Sequence, residues 1–248
     1  VYVGRSRRFE AYKRLFSYDK TDLAATVDAV DESEPSWRRE RVSFVAAYGG
    51  ERMVAYVYLP RGGKPPYQTV FVMPGAGAWD ERSSETVAAS PFFGYLVRSG
   101  RAAVLPLYKG TYERGSDAFK QDVSKASSLW RDHTIAFAKD LARTVDYAET
   151  RPELDKDRLA FLGLSRGGAL SPVMLANEKR IKNALLLASA SWGNKGPATE
   201  LGFQEIGSCP FIRHGQGLKL LLSMHRRNPI VPSRSGCAGA AGRPAVIT

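Results

Sequence analysis

One stretch constrains the fold of this chain more than any other: Gly163-Leu164-Ser165-Arg166-Gly167-Gly168. It follows a strand-like run, Arg158 to Leu162, and leads into a helix-like run, Ala169 to Asn177. A chain that passes so abruptly from strand to helix must turn sharply. The glycines flanking Ser165 remove the Cβ atoms that would clash where the two backbones approach. The turn leaves the Ser165 hydroxyl exposed at the end of a sheet. It also sets the Arg166 N–H at a helix N-terminus, facing a place where negative charge is favoured. Gly-x-Ser-x-Gly alone is common by chance in a chain with 23 glycines. The strand before it and the small-residue helix start after it make it informative. The plain alternative is a Gly-rich turn with a bystander serine.

The surrounding pattern alternates strand and helix. Arg41 to Ala47 and Met53 to Leu59 read as an antiparallel pair across Tyr48-Gly49-Gly50-Glu51-Arg52. Gln68 to Met73 is an apolar run of the kind a buried parallel strand shows, and it ends in Pro74-Gly75-Ala76-Gly77. Ser83 to Val97 has helix character despite Pro91, and Ala102 to Tyr108 is the next strand. Ser127 to Glu149 carries Trp130, Phe137, Leu141 and Val145 at helical spacing, and Asn183 to Ala188 is a further strand. The expected architecture is α/β, a mostly parallel sheet with helices on both faces. Residues 1–40 read as a charged lead-in or linker remnant, residues 41–190 as the core, and residues 191–248 as an atypical basic tail. In that tail only Leu218 to Leu222 is an apolar run, and Ser233 to Pro244 is of low complexity and not expected to pack.

The chain has 248 residues and a formal charge of +11. Nucleic-acid binding is the first reading of such a charge. Its distribution argues against that reading. Residues 178–248 carry a net +7, and the first 177 residues carry only +4, with no basic helix interleaved with aromatics. No run of eighteen apolar residues exists, so no transmembrane helix is expected. The N-terminus lacks both an initiator Met and an apolar signal core, as a piece of a longer chain would. Cys209 and Cys237 make no Cys-x-x-Cys pattern, so neither metal nor redox chemistry is indicated and a reducing, cytoplasmic setting is expected.

A serine nucleophile needs a base and an acid to orient that base. After Ser165 the chain contains no aspartate; its acids there are Glu178, Glu200 and Glu205, and its histidines are His214 and His225. Glu205 with His225 keeps the order nucleophile, acid, histidine, and His214 is the other possible base. The plain alternative is that both histidines are exposed tail residues. His133 precedes the serine and shares a helix face with Trp130 and Phe137, which reads as a packed or capping residue. Oxyanion donors are expected from the N–H groups of Arg166 and Ala76, the second lying in the glycine turn after the first buried strand. Tyr108 and Lys109 follow the next strand, at the carboxyl edge where ligands bind, and are candidates to line a substrate pocket or to be solvated loop residues.

Five stretches together carry a family resemblance. They are Arg38 to Phe44, Pro66 to Val70, Met73 to Gly77, Arg143 to Tyr147 and Gly163 to Gly168. They resemble dienelactone-hydrolase and prolyl-oligopeptidase-like domains, in the version appended to some bacterial serine/threonine kinases. The resemblance covers about residues 8 to 190. It implies an α/β-hydrolase fold, no metal or other cofactor, Ser165 as nucleophile and a kinase domain as a fused partner. Serine in place of the dienelactone hydrolases' cysteine points to hydrolysis of small-molecule carboxylic esters, with short acyl chains favoured because no lid-like apolar insertion is evident. The tail departs from the family's pattern, as a shift of reading frame beyond residue 190 would make it do. An incomplete triad leaves a second expectation, a non-catalytic binding or regulatory domain.

Overall fold

The computed structural model describes residues 12–117, 128–187, 219–223 and 245–247. Nine strands form one sheet: β1 (Thr26–Asp31), β2 (Trp37–Val45), β3 (Arg52–Pro60), β4 (Tyr67–Met73), β5 (Ala102–Pro106), β6 (Leu154–Leu164), β7 (Ile181–Leu187), β8 (Lys219–Ser223) and β9 (Ala245–Ile247). Their spatial order is β1-β2-β3-β5-β4-β6-β7-β8-β9. The strands from β5 through β4, β6 and β7 to β8 run parallel, and β1, β2, β3 and β9 join antiparallel. The expected mixed, mostly parallel sheet is what forms.

Sequence pattern explains most of the elements. Residues 69–73 of β4 and all of β5 are buried, which their unbroken apolar runs require. In the β2–β3 pair the two faces are covered by different helices. Phe44 stacks on Tyr147 with ring centroids 5.0 Å apart. Tyr147 belongs to α4 (Ser128–Glu149), which with α5 (Arg166–Asn177) covers that face. Tyr58, on the opposite pleat, meets Phe93 edge-to-face at 5.2 Å. Phe93 leads into α3 (Gly94–Arg98), which packs on β3 and β5. The helix expected across Pro91 is instead two short helices, α2 (Glu85–Ala89) and α3. Proline disfavours helical geometry in the residue before it and lacks an N–H, so the break falls there. A shorter helix, α1 (Gly77–Asp80), follows the glycine turn after β4.

The expected lead-in, residues 1–40, takes part in the sheet. β1 and the first part of β2 lie inside it, with Thr26 opposite Ser43 and Asp31 opposite Arg39. Ion pairs rather than apolar burial stitch this edge: Asp28 to Arg41 and Asp31 to Arg39, both at 2.6 Å. From the expected tail, the apolar run at Leu218 to Leu222 supplies β8, which pairs with β7, and β9 pairs with β8. The low-complexity piece at Ser233 to Pro244 lies outside the described residues.

Candidate active site

Strand order places the site. From β4 the chain crosses to β5 on one side, and β6 then returns to the other side of β4. The carboxyl ends of β4 and β6 therefore flank a point where the winding reverses, the position at which open α/β sheets leave a crevice. Met73 of β4 is in register with Gly163 of β6. The turn at Pro74 to Ala76 and the turn at Leu164 to Arg166 thus leave the sheet side by side. A Cβ built on Gly75 would lie 3.6 Å from the Ser165 Cβ and 3.7 Å from the Leu164 carbonyl oxygen.

Ser165 is exposed and holds φ 51° and ψ −115°. That left-handed backbone is unfavourable for any residue with a Cβ and costs about 1–3 kcal/mol. The surroundings enforce it. The Ser165 N–H donates to the Leu187 carbonyl at the end of β7 at 2.8 Å, and its own carbonyl accepts the first α5 bond, from Ala169, at 2.9 Å. Glycine is needed on both sides for close approach. A Cβ on Gly163 would lie 2.8 Å from the Gly168 Cα, and one on Gly167 would lie 2.5 Å from the carbonyl oxygens of Met73 and Pro74. The helix therefore packs directly onto the end of β4. Farther along α5, Pro172 cannot donate to the Gly168 carbonyl, and the buried Ser171 hydroxyl donates to it instead, at 2.8 Å.

Arg166 and Ala76, the expected donors, sit at matching places: Arg166 opens α5, and Ala76 precedes α1 in helical conformation. The Arg166 guanidinium lies over the Trp79 ring at 4.2 Å from its centroid, joining the serine turn to α1. Trp79 in turn meets Phe137 of α4 edge-to-face at 5.8 Å.

Tyr108 and Lys109 lie at the carboxyl end of β5, but both side chains are engaged within the protein. Tyr108 is fully buried, with its ring edge-to-face on Phe137 at 6.3 Å. Burial raises its phenol well above the usual value, and Asp140 adds to that. Lys109 pairs with Glu51. The pocket-lining role expected of Tyr108 is at odds with a ring that belongs to the core.

A buried polar cluster, not foreseen from the sequence, fixes this loop to α4. Asp140 accepts from the Lys109 N–H at 2.8 Å, from the Tyr48 hydroxyl at 2.8 Å and from Arg114 at 2.7 Å. Arg114 also donates to the Leu107 carbonyl at 2.7 Å. Burial raises the Asp140 carboxyl above its ordinary value, and Arg114, Tyr48 and the Lys109 N–H restrain that rise. His133, one helical turn before Phe137, is buried and packs against its ring. Its Nε2 lies 2.7 Å from the Lys109 carbonyl, which can only accept, so Nε2 carries the proton. Burial lowers the His133 pKa to about 4, the bond to Lys109 opposing and Arg166 adding to the fall. His133 is a neutral, packed histidine, the role its helix spacing predicts. The sequence signal for Asp140 was a carboxylate one turn from Phe137 and Thr144 on the apolar stripe of α4.

Glu205, His214 and His225 lie outside the described residues. Among the described residues no helix is long and apolar enough to cross a membrane.

No family model and no curated protein sequence matches the chain. Solved structures do. An acetyl xylan esterase from Paenibacillus sp. R4 is 19% identical, with TM-score 0.54 over 73% of this chain and 58% of that one. Acetyl xylan esterase 1 from Thermoanaerobacterium sp. JW/SL YS485 is 17% identical, with TM-score 0.53 over 83% and 68%. A glucuronoyl esterase from Solibacter usitatus is 16% identical, with TM-score 0.52 over 75% and 58%. The chain spans 51% to 58% of the length of the first solved structures it matches. At these identities the likeness speaks for architecture, and it agrees with the strand order and the strained serine turn: the chain has the α/β-hydrolase fold.

Proposed function

We propose that the chain is a serine carboxylic-ester hydrolase that acts through an acyl-enzyme on Ser165. The observation that carries this reading is the Ser165 backbone at φ 51°, exposed at the reversal point between β4 and β6. Strain of that kind persists only where the surroundings over-determine it, and it presents a hydroxyl to a reacting carbonyl. In the proposed reaction the Ser165 Oγ adds to the ester carbonyl as its proton passes to a histidine. The N–H groups of Arg166 and Ala76 hold the oxyanion. The alcohol leaves with that proton, and water then releases the acid. His225, oriented by Glu205, is the proposed base, with His214 as its rival. Short acyl esters are the proposed substrates. The esterases of similar fold include two named for acetyl xylan, which fits a small acyl group. A cytoplasmic location and a fused kinase partner complete the proposal.

One observation favours a second reading, a catalytically incomplete domain with a binding or regulatory role beside such a partner. No aspartate follows Ser165, and only two histidines do. Hydrolysis of p-nitrophenyl acetate and butyrate by the chain and by Ser165→Ala separates the two. Activity lost in the variant supports the enzyme, and variants of His225 and His214 then identify the base. Turnover no greater than that of Ser165→Ala supports the incomplete domain, since loss of a triad member costs several powers of ten in rate.

A further inference from the structure

We infer that the free edge of β1 is a self-complementary interface through which two copies of this chain pair antiparallel. β1 ends the sheet, and among the described residues no strand lies outside it. Thr26 to Val30 are all exposed, Val27 at 51% and Val30 at 47%. Three residues apart in a regular strand, these valines would fall on opposite faces. A bulge prevents that. Val27 pairs with Val42 and Ala29 with Arg41, so Asp28 is the extra residue. Val27 and Val30, opposite Val42 and Glu40, consequently share the face on which Phe44 meets α4. They form an apolar strip at its uncovered margin. Thr26, Ala29 and Asp31 share the other face, with Ser43, Arg41 and Arg39.

Natural edges are kept from pairing by lysine, proline, free charge directed at the edge or a bulge that twists the edge away. β1 has no lysine or proline, its two aspartates are turned back onto β2, and its one bulge, at Asp28, lies beside the two-fold position, where both copies carry it. Asp28 is held by Arg41, Thr26 and Ser43, and Asp31 by Arg39. Pairing about a two-fold axis at Ala29 sets Val27 of one copy opposite Val30 of the other, twice. It sets Thr26 opposite Asp31, twice, and Ala29 opposite itself. No paired position sets charge against charge, the Asp28 of each copy beside the axis is neutralised by its own Arg41, the valines meet on one face, and the smallest side chain lies at the axis. That match selects a second copy of this chain over an unrelated strand. The edge is short, so the dimer forms with concentration rather than obligately.

Analytical ultracentrifugation of the full chain tests this. The expected result is a mass that doubles from 27.2 kDa as concentration rises through the micromolar range. Val30→Lys should hold the mass at the monomer value with unchanged circular dichroism. A register test needs no loss of stability. With Cys209 and Cys237 replaced by serine, Ala29→Cys should form a covalent dimer under diamide, because antiparallel partners bring their Cβ atoms to about 5 Å. Thr26→Cys should not, because its partner is Asp31. A chain that stays monomeric throughout overturns the proposal. So does a dimer that persists in Val30→Lys, or one that cross-links equally at residues 26 and 29.

Discussion

The Arg166 guanidinium lies 4.2 Å from the centre of the Trp79 ring. The contact ties the first residue of α5 to the short helix behind Ala76, so the two candidate oxyanion donors are braced by one cation on one aromatic face. A cation over an indole, partly withdrawn from water, is worth about 1–2 kcal/mol. A double-mutant cycle of Trp79→Leu and Arg166→Met, read by urea unfolding, should return a coupling of about 1 kcal/mol. Additivity of the two substitutions would show that the pair does not brace the turn.

Gly167→Ala should be among the most damaging single substitutions in the chain. Its Cβ would lie 2.5 Å from two backbone carbonyl oxygens, and backbone cannot yield as a flexible side chain does. The expected cost is more than about 3 kcal/mol. Thermal unfolding checks it. A variant with wild-type stability would mean that α5 can slide away from β4.

Ser165→Gly should raise stability, and Ser165→Ala should not. Glycine tolerates φ 51°, whereas alanine keeps the Cβ and hence the strain. The expected gain for glycine over alanine is about 1 kcal/mol, the usual strain being partly offset by the greater freedom of glycine in the unfolded chain. Paired melts of the two variants measure it. Equal melting temperatures would place the strain elsewhere.

His133 should make the fold acid-sensitive. Its pKa falls from an ordinary 6.5 to about 4 on folding, so between those values the unfolded chain binds the extra proton. Stability from this group is fully present above about pH 6.5 and is lost as pH falls toward 4. The loss at pH 5 relative to pH 8 is about 2 kcal/mol. Urea titrations at the two values should show that difference shrink in His133→Gln. An unchanged difference would assign the acid sensitivity to other groups.

How much of this was legible in the sequence depends on whether a residue's setting is local. The strands from β2 to β7 carry their burial in their own periodicity, and the serine turn carries its geometry in its glycines. β1 carries no such mark. Its residues are exposed on both faces, and it is recognisable only through its partners on β2. The same holds for Asp140, whose three donors come from positions 48, 109 and 114, and for Tyr108, buried by Phe137 from another element. Nor does the reversal of strand order that sets two turns side by side follow from any one segment. The expected acid and base were the least legible, because the tail sequence around Glu205, His214 and His225 has no strong periodicity.

The Ser171 hydroxyl stands in for the backbone donor that Pro172 lacks. Amide deuterium exchange reads helices through their N–H protons, and position 172 has none. At the Gly168 carbonyl, the acceptor one turn behind the serine, the partner is a hydroxyl whose proton leaves no record in such an experiment. Opening of that bond would have to be followed by a side-chain probe.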